Sequence, residues 1–304
     1  MKLEMISQKP YNTSLMGVIT GISSYYELPF SDEEMFGLSA HAFLVNIHDI
    51  LCPSGPYVWN DEWFYELLKN TGIEATFLGF FSADNTTEER NNIEKTIREH
   101  IESNNPCYVV NMDNQIIYGY DETGLLLSQP WSDCVCTTPQ KLTYATWDEF
   151  GKELHVAFFS FRKCEPKDRK LAIKESLAHA VKLLESKDDF SPPRYATGLK
   201  AYDNWISAVS NDHGASHGSW WNSVVWSECR KMAGNFLERL IKDSIGDPGI
   251  ARRLSDNYRM ISDIMLEVSN KEMDKEEKIR KLKEIQSMEK DSLALLKEYT
   301  KTLD

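Results

Sequence analysis

The stretch SLMGVITGISSYYELPFSDEEMFGL, residues 14–38, has the pattern of a helix, a turn and the start of a second helix. Small residues lie at spacings typical of one helical face: Gly17, Thr20, Gly21 and Ser24. Because glycine disfavours a helix interior, we expect neighbouring backbone to approach this helix closely. We interpret Ser14 as the N-cap of the helix.

Composition indicates a globular protein without a nucleic-acid or membrane partner. The chain has 304 residues, 41% of them hydrophobic, and a formal net charge of -13. Such a charge disfavours binding to phosphate backbones. The sequence contains no run of eighteen apolar residues, and residues 1–15 lack the apolar core of a secretory signal. We therefore predict a cytoplasmic location.

Six cysteines are scattered along the chain, which is typical of reduced thiols in a cytoplasm. Cys134 and Cys136 form a C-x-C pair, but no second pair follows at metal-ligand spacing. A zinc site would need two further ligands from elsewhere. We predict no metal and no cofactor.

The order of predicted elements divides the chain near residue 166. Ser31 and Glu34 have the spacing of a capping box that starts the second helix. Helices and β-branched or aromatic strands alternate as far as residue 165, and helical periodicity dominates afterwards. We therefore predict a mixed front domain over residues 1–165 and an all-α domain over residues 166–304.

Two motifs carry a resemblance to a known family: ISSYYELPFSDEEMFGL (22–38) and QIIYGYDETGLLLSQPW (115–131). They resemble the N-terminal domain family of the butirosin-biosynthesis acyltransferase. The segments GLKAYDNWISAV (198–209) and ECRKMAGNFLERL (228–240) are similar to the helical region that follows that domain in related proteins. The resemblance implies an α+β fold with a papain-like front domain, in which a central helix packs on a twisted antiparallel sheet.

The resemblance also implies three catalytic positions. The chemistry of that fold uses a thiolate at a helix N-terminus, a histidine on a facing strand and a residue that orients the histidine. Counted from the matching motifs, the nucleophile position is Ser14, the base position falls at Asp113 to Gln115, and the orienting position is Gln129. None of the three carries the residue the chemistry needs, so we expect the triad to be degraded.

Other residues are candidates for separate roles. Cys52 lies in a Pro/Gly loop and is a candidate reactive thiol, whereas Cys107 is expected to pack in the core. His41 is interpreted either as a structural residue or as part of a ligand pocket. His155, on a predicted strand, is expected to be half-buried.

The segment NDHGASHGSWWNSVVW, residues 211–226, concentrates histidine and tryptophan. His213 and His217 would suit a metal if they were helical, but Gly214 and Gly218 favour a loop. The loop either packs through its tryptophans or forms a lid over a ligand. The candidate ligand-binding residues are therefore His41, His213, His217, Trp220 and Trp221.

Three functions remain open from the sequence. The first is a protein of the secondary-metabolism type whose papain-like cleft binds a small molecule or an acyl or peptidyl group on a carrier protein, without its ancestral catalysis. The second is an active acyltransferase or amide hydrolase that uses Ser14 or a displaced cysteine, with His41 or a rear-domain histidine as base. The third is an interaction module whose charged C-terminal helices pack against a second subunit, as in a homodimer.

Overall fold

A computed structural model describes residues 1–111, 113–131, 138–151, 154–186 and 190–303. The fold is α+β with a C-terminal helical region, which confirms the predicted class at this level. The described helices are α1 (Ser14–Tyr25), α2 (Asp32–Leu38), α3 (Glu62–Lys69), α4 (Thr87–Glu102), α5 (Arg169–Glu185), α6 (Leu199–Ala208), α7 (His217–Lys242), α8 (Pro248–Val268) and α9 (Lys275–Tyr299). The described strands are β1 (Asn46–His48), β2 (Ile73–Ser82), β3 (Cys107–Val110), β4 (Asn114–Tyr120), β5 (Gly124–Leu127), β6 (Lys141–Thr143), β7 (His155–Lys163) and β8 (Tyr195–Thr197).

The chain forms two compact units, each built from two separate segments. Unit 1 contains Met1–Phe30 and Thr71–Pro166, and unit 2 contains Ser31–Asn70 and Lys167–Asp304. The predicted domains, 1–165 and 166–304, are continuous, so the structure differs from them in the placement of residues 31–70. No helix among the described residues is long and apolar enough to cross a membrane.

Unit 1 is organised around a six-stranded antiparallel sheet in the order β2-β7-β3-β4-β5-β6. Its strands are rich in β-branched and aromatic residues, which suit a pleated, half-buried surface. The apolar stripe of α4 joins one core, whose members include Ile93, Ile97, Val109, Ile117, Trp147 and Phe158. The helix α1 contacts β4.

The glycines of α1 make room for backbone, as the sequence predicts, but that backbone is not a strand. A Cβ atom at Gly17 would lie 2.3 Å from the carbonyl oxygen of Lys9, and one at Gly21 would lie 2.3 Å from that of Ser7. The N-terminal segment therefore runs directly along this face of α1. The amide of Lys9 also donates to the carbonyl of Gly17 at 3.1 Å.

The interpretation of Ser14 as an N-cap is wrong. Ser14 is the first helical residue, and the N-cap position belongs to Thr13. The Thr13 side chain makes no capping hydrogen bond, and the Ser14 hydroxyl is bonded to Asn114 of β4. The capping box of Ser31 and Glu34 at the start of α2 is confirmed.

Unit 2 is a helical assembly that also holds the segment 31–70. The helix α7 packs against α8 and, from the earlier segment, against α2 and the 3-10 turn His41–Phe43. The short strands β1 and β8 pair antiparallel, with Asn46 opposite Thr197. The residues of this segment are buried by helices that follow them by more than a hundred positions, which explains why they belong to this unit.

The predicted loop over residues 211–226 is wrong for most of its length. A π-helical stretch covers Val209–His213, and within it Asp212 has a left-handed φ of +68°. The helix α7 begins at His217, with Ser216 as its N-cap. Gly218 is needed for packing rather than for a turn, because a Cβ there would lie 1.8 Å from the carbonyl oxygen of Leu51.

Candidate functional site

In unit 1 the N-terminus of α1 meets the start of β4 at Ser14. The backbone N–H and the side-chain amide of Asn114 each donate to Ser14 Oγ at 3.1 Å. The hydroxyl in turn donates to Asp113 Oδ1, with 3.4 Å between the oxygens. Ser14 is only 1% exposed. Two of the three predicted catalytic positions, Ser14 and Asp113, are therefore in contact.

The third predicted position, Gln129, shares a hydrogen-bond acceptor with Gln115, the last residue of the predicted base position. Gln115, two residues after Asp113, donates from its side chain to the carbonyls of Ser128 and Pro139, each at 2.8 Å. Gln129 donates to the same Pro139 carbonyl at 3.1 Å and accepts from Thr138. Gln129 thus holds the chain that follows β5.

The sequence did not point to Gln8, whose side-chain amide forms hydrogen bonds with α1, with β4 and with the residue after β5. Its Nε2 donates to the carbonyls of Asn114 at 2.7 Å and Ser14 at 3.3 Å. Its Oε1 accepts from the amide of Ile116 at 3.1 Å and from the hydroxyl of Ser128 at 2.5 Å. A lone glutamine in a polar N-terminal segment carries no periodic or spacing signal, so it could not have been found from the sequence alone.

This arrangement can anchor β4 to α1, but it does not activate a nucleophile. A serine hydroxyl needs a base that takes its proton and a path for the substrate. Among the described residues, the partners of Ser14 Oγ are Asp113 and Asn114, and neither offers an imidazole. The oxygen is also buried and already accepts two hydrogen bonds. We therefore assign the hydroxyl a structural role in this conformation.

In unit 2, His41 lies in an aromatic enclosure formed by Phe36, Trp59, Phe64 and Trp226. It is fully buried. Burial, and secondarily the charge of Arg230, lower the pKa of His41 to about 3, so the ring stays neutral at pH 7. Within the part of the chain that the structure describes, its Nε2 atom has no hydrogen-bond partner.

The other ring nitrogen of His41 faces a cysteine that sequence reasoning did not select. Cys229 Sγ lies 3.7 Å from His41 Nδ1, and Cys229 is also fully buried. A thiol and an imidazole at this distance form the elements of a catalytic pair. Because both are enclosed and the imidazole is held neutral, an ion pair between thiolate and imidazolium is disfavoured here.

A buried ion pair adjoins Cys229. Arg230 Nε lies 2.5 Å from Glu289 Oε1, and both side chains are 0% exposed. Arg230 Nη1 donates to the carbonyls of Ala42 and Leu44, each at 2.9 Å, and the hydroxyl of Tyr202 donates to Glu289 at 2.9 Å. This network fixes the turn that carries His41.

The remaining predicted ligand-binding residues lie near the start of α7. His213 is half-buried in the π-helical stretch, His217 is exposed, Trp220 is half-buried and Trp221 is nearly buried. The rings of His217 and Trp220 are 5.2 Å apart, and the Lys271 ammonium lies 5.6 Å from the Trp220 ring. The described residues contain no group of three His, Cys, Asp or Glu side chains that could hold a metal.

Of the candidate thiols, Cys107 packs in the core of unit 1, as predicted, and burial raises its pKa. Cys52 is half-buried and free. Cys134 and Cys136 lie outside the described residues. The expectation for His155 is wrong: it is exposed on β7, where it stacks on Phe80.

A polar groove of about 640 Å³ lies on unit 2 between α8 and α9. None of the predicted ligand-binding residues lines it. Both helices contribute carboxylates to its walls, and α8 contributes one arginine. The lining residues are Arg253, Asp256, Asn257, Asp291, Ala294, Leu295 and Glu298. Charged helical surface of this kind is common on solvated helices.

No protein-family model matches this chain, and no curated protein matches it significantly. The resemblance to the butirosin-biosynthesis family therefore rests on the sequence motifs.

Proposed function

We propose that this chain is a non-catalytic protein on a papain-like scaffold, related to the butirosin-biosynthesis acyltransferase family. It binds a small molecule or an acyl or peptidyl group on a carrier protein. One observation carries the proposal: Ser14, at the nucleophile position, is 1% exposed and is held by Asn114 and Asp113 without a histidine.

The placement of the three catalytic positions supports the papain-like scaffold. The N-terminus of a buried helix, α1, faces the first residues of β4 on an antiparallel sheet. Asp113 contacts Ser14, and Gln129 follows β5, the next strand of that sheet. This is the order of helix, base strand and orienting strand that the resemblance implies.

The surface at the start of α7 supports the binding part of the proposal. His217 and Trp220 present aromatic rings to solvent, with the Lys271 ammonium above the Trp220 ring. Such a surface suits a ligand that joins an apolar chain to an anionic group. His41 is enclosed, so in the proposed function it supports the helical unit rather than touching the ligand.

The test uses a phosphopantetheine thioester of a short acyl chain. We expect no mass increase of the protein and no thiol release above the buffer rate, but a change of tryptophan fluorescence on binding. That change should be lost in Trp220→Ala and kept in His155→Ala, the control on unit 1. An acyl adduct that disappears in Ser14→Ala would overturn the non-catalytic part, and fluorescence unaffected by the thioester would overturn the binding part.

A second candidate function, an active thiol acyltransferase or hydrolase, is favoured by one contact, the 3.7 Å separation of Cys229 Sγ and His41 Nδ1. It requires unit 2 to open, since both side chains are fully buried. Peptide mapping after exposure to the thioester distinguishes it. Acylation at Cys229, lost in His41→Asn, would support this candidate, whereas a Cys229 without adduct would exclude it for the acyl chain tested.

The third function, an interaction module built from the C-terminal helices, has less support. Within the described parts of α8 and α9, the exposed large apolar side chains are Met260 and Leu266, both on α8. These two side chains provide little apolar area, and a helix has no strand edge whose backbone could pair with a second copy.

A further inference from the structure

The strand β2 is an exposed edge of the unit 1 sheet. Among the described residues its neighbour in the sheet is β7, so β2 is an edge strand of the sheet that these residues form. The strand is ten residues long. Long unprotected edges are the usual places where a sheet accepts a further strand.

A β-bulge places two phenylalanines on one face of this edge. Phe77 is opposite Phe159 and Phe80 is opposite Ala157, while the register shifts between Phe77 and Gly79. Without the shift, residues three apart would point to opposite faces. With it, both phenylalanines share the face of Phe159.

The two phenylalanines are among the most exposed large apolar side chains of the chain. Phe77 is 57% exposed and Phe80 is 58% exposed. Each packs against one ring of β7: Phe77 edge-on against Phe159 at 5.2 Å, and Phe80 stacked on His155 at 6.1 Å. The bulge therefore places an aromatic patch on the edge strand, and both of its side chains are more than half exposed.

The charge of β2 suits a second copy of the same strand. Its only charged residue is Glu74, which is neutralised by Arg162 on β7. An antiparallel two-fold pairing that keeps paired side chains on one face sets Phe77 opposite Phe80 of the second copy and Ala75 opposite Ser82. Glu74 then lies beyond the paired residues of β2, so no like charges are opposite each other. Because each copy carries a formal charge of -13, an uncharged strand is a favourable place for two copies to meet.

We propose that the chain forms a homodimer through β2, in which two edge strands pair antiparallel and the Phe77 and Phe80 side chains of the two copies pack together. The symmetry is isologous, so one patch serves both sides of the interface. The two sheets then become one continuous sheet. The dimer does not depend on whether the proposed ligand binding is correct.

Sedimentation velocity over a range of protein concentrations tests the dimer. We expect wild type to associate, and Phe77→Ser with Phe80→Ser to raise the dissociation constant about 30-fold or more, the effect of losing a hot spot. Met260→Ser with Leu266→Ser is the matched control, because these side chains are 53% and 51% exposed on α8. The control should associate as wild type does.

Hydrogen exchange of the unmodified protein gives a second measurement that needs no variant. Amides of residues 73–82 should become protected as protein concentration rises. A wild type that stays monomeric, a dimer that survives the Phe77 and Phe80 changes, or a dimer lost in the α8 control would each overturn the proposal. Concentration-independent exchange over residues 73–82 would do the same.

Discussion

Asn114 holds Ser14 Oγ with two N–H groups at equal distances of 3.1 Å, one from its backbone and one from its side chain. Both residues are buried. The Ser14 hydroxyl therefore acts as the acceptor that fixes the first residue of β4. The consequences for stability and for chemistry can be separated by substitution.

Ser14→Ala should lower the free energy of unfolding by about 1–3 kcal/mol, because two buried N–H donors lose their acceptor. Chemical denaturation measures the change. Ser24→Ala is the control on the same helix, since Ser24 is exposed and its hydroxyl donates to the Thr20 carbonyl of its own helix. Equal stability of wild type and Ser14→Ala would contradict the anchoring role.

Gly17→Ala should destabilise unit 1 by about 1–3 kcal/mol, the usual cost of overpacking. The new methyl group would sit 2.3 Å from the Lys9 carbonyl oxygen and would displace the N-terminal segment. The residue-specific measurement is hydrogen exchange at the Lys9 amide, which should accelerate because it loses the Gly17 carbonyl. Unchanged exchange at Lys9 would show that the segment does not depend on this glycine.

Acid should weaken unit 2 through His41. Burial, with the charge of Arg230, lowers the pKa of the folded state to about 3, whereas the unfolded chain titrates near 6.5. Between these values the unfolded state binds one more proton, so stability falls as pH decreases from about 6.5 towards 3, at about 1.4 kcal/mol per pH unit.

Denaturation at several pH values measures that slope. The variant His41→Asn should flatten it, whatever its stability at pH 7. The control His217→Asn changes an exposed position at the start of α7 and should keep the wild-type slope. If both variants keep the slope, His41 is not the titrating group.

Glu289→Gln should lower the free energy of unfolding by about 3–5 kcal/mol, because Arg230 keeps its charge in a fully buried position without an opposite charge beside it. The glutamine side chain still offers an oxygen to the Tyr202 hydroxyl, so the decrease in stability measures the loss of the negative charge. The control is Glu277→Gln, which removes an exposed pair with Arg280 and should change stability far less. Similar decreases in stability in the two variants would show that the buried ion pair contributes no more than the exposed one.

Local signals predicted much of the secondary structure. The Ser31 and Glu34 capping box needs only residues three apart, and it is present. The contact of Ser14 with Asp113 was reached through the resemblance, since no local pattern joins positions 99 residues apart.

The long-range side-chain contacts of unit 2 could not be predicted from local sequence patterns. Helical periodicity in α7 marks an apolar face, but it does not reveal that Arg230 lies on the buried side or that Cys229 faces His41. Gly218 was misjudged because glycine has two uses, turns and close contacts, and the sequence does not distinguish them.

The discontinuous construction of unit 2 has a consequence during synthesis on the ribosome. Arg230 follows the carbonyls it binds, those of Ala42 and Leu44, by 188 and 186 residues. At elongation rates of about 5–20 residues per second, the early segment waits about 10–40 s for its partner helix. Throughout that interval Phe36, Phe43 and Phe64, all fully buried in the finished protein, lack the surface that covers them. Nascent chains paused between residues 70 and 230 are therefore the forms of this protein that most need a chaperone.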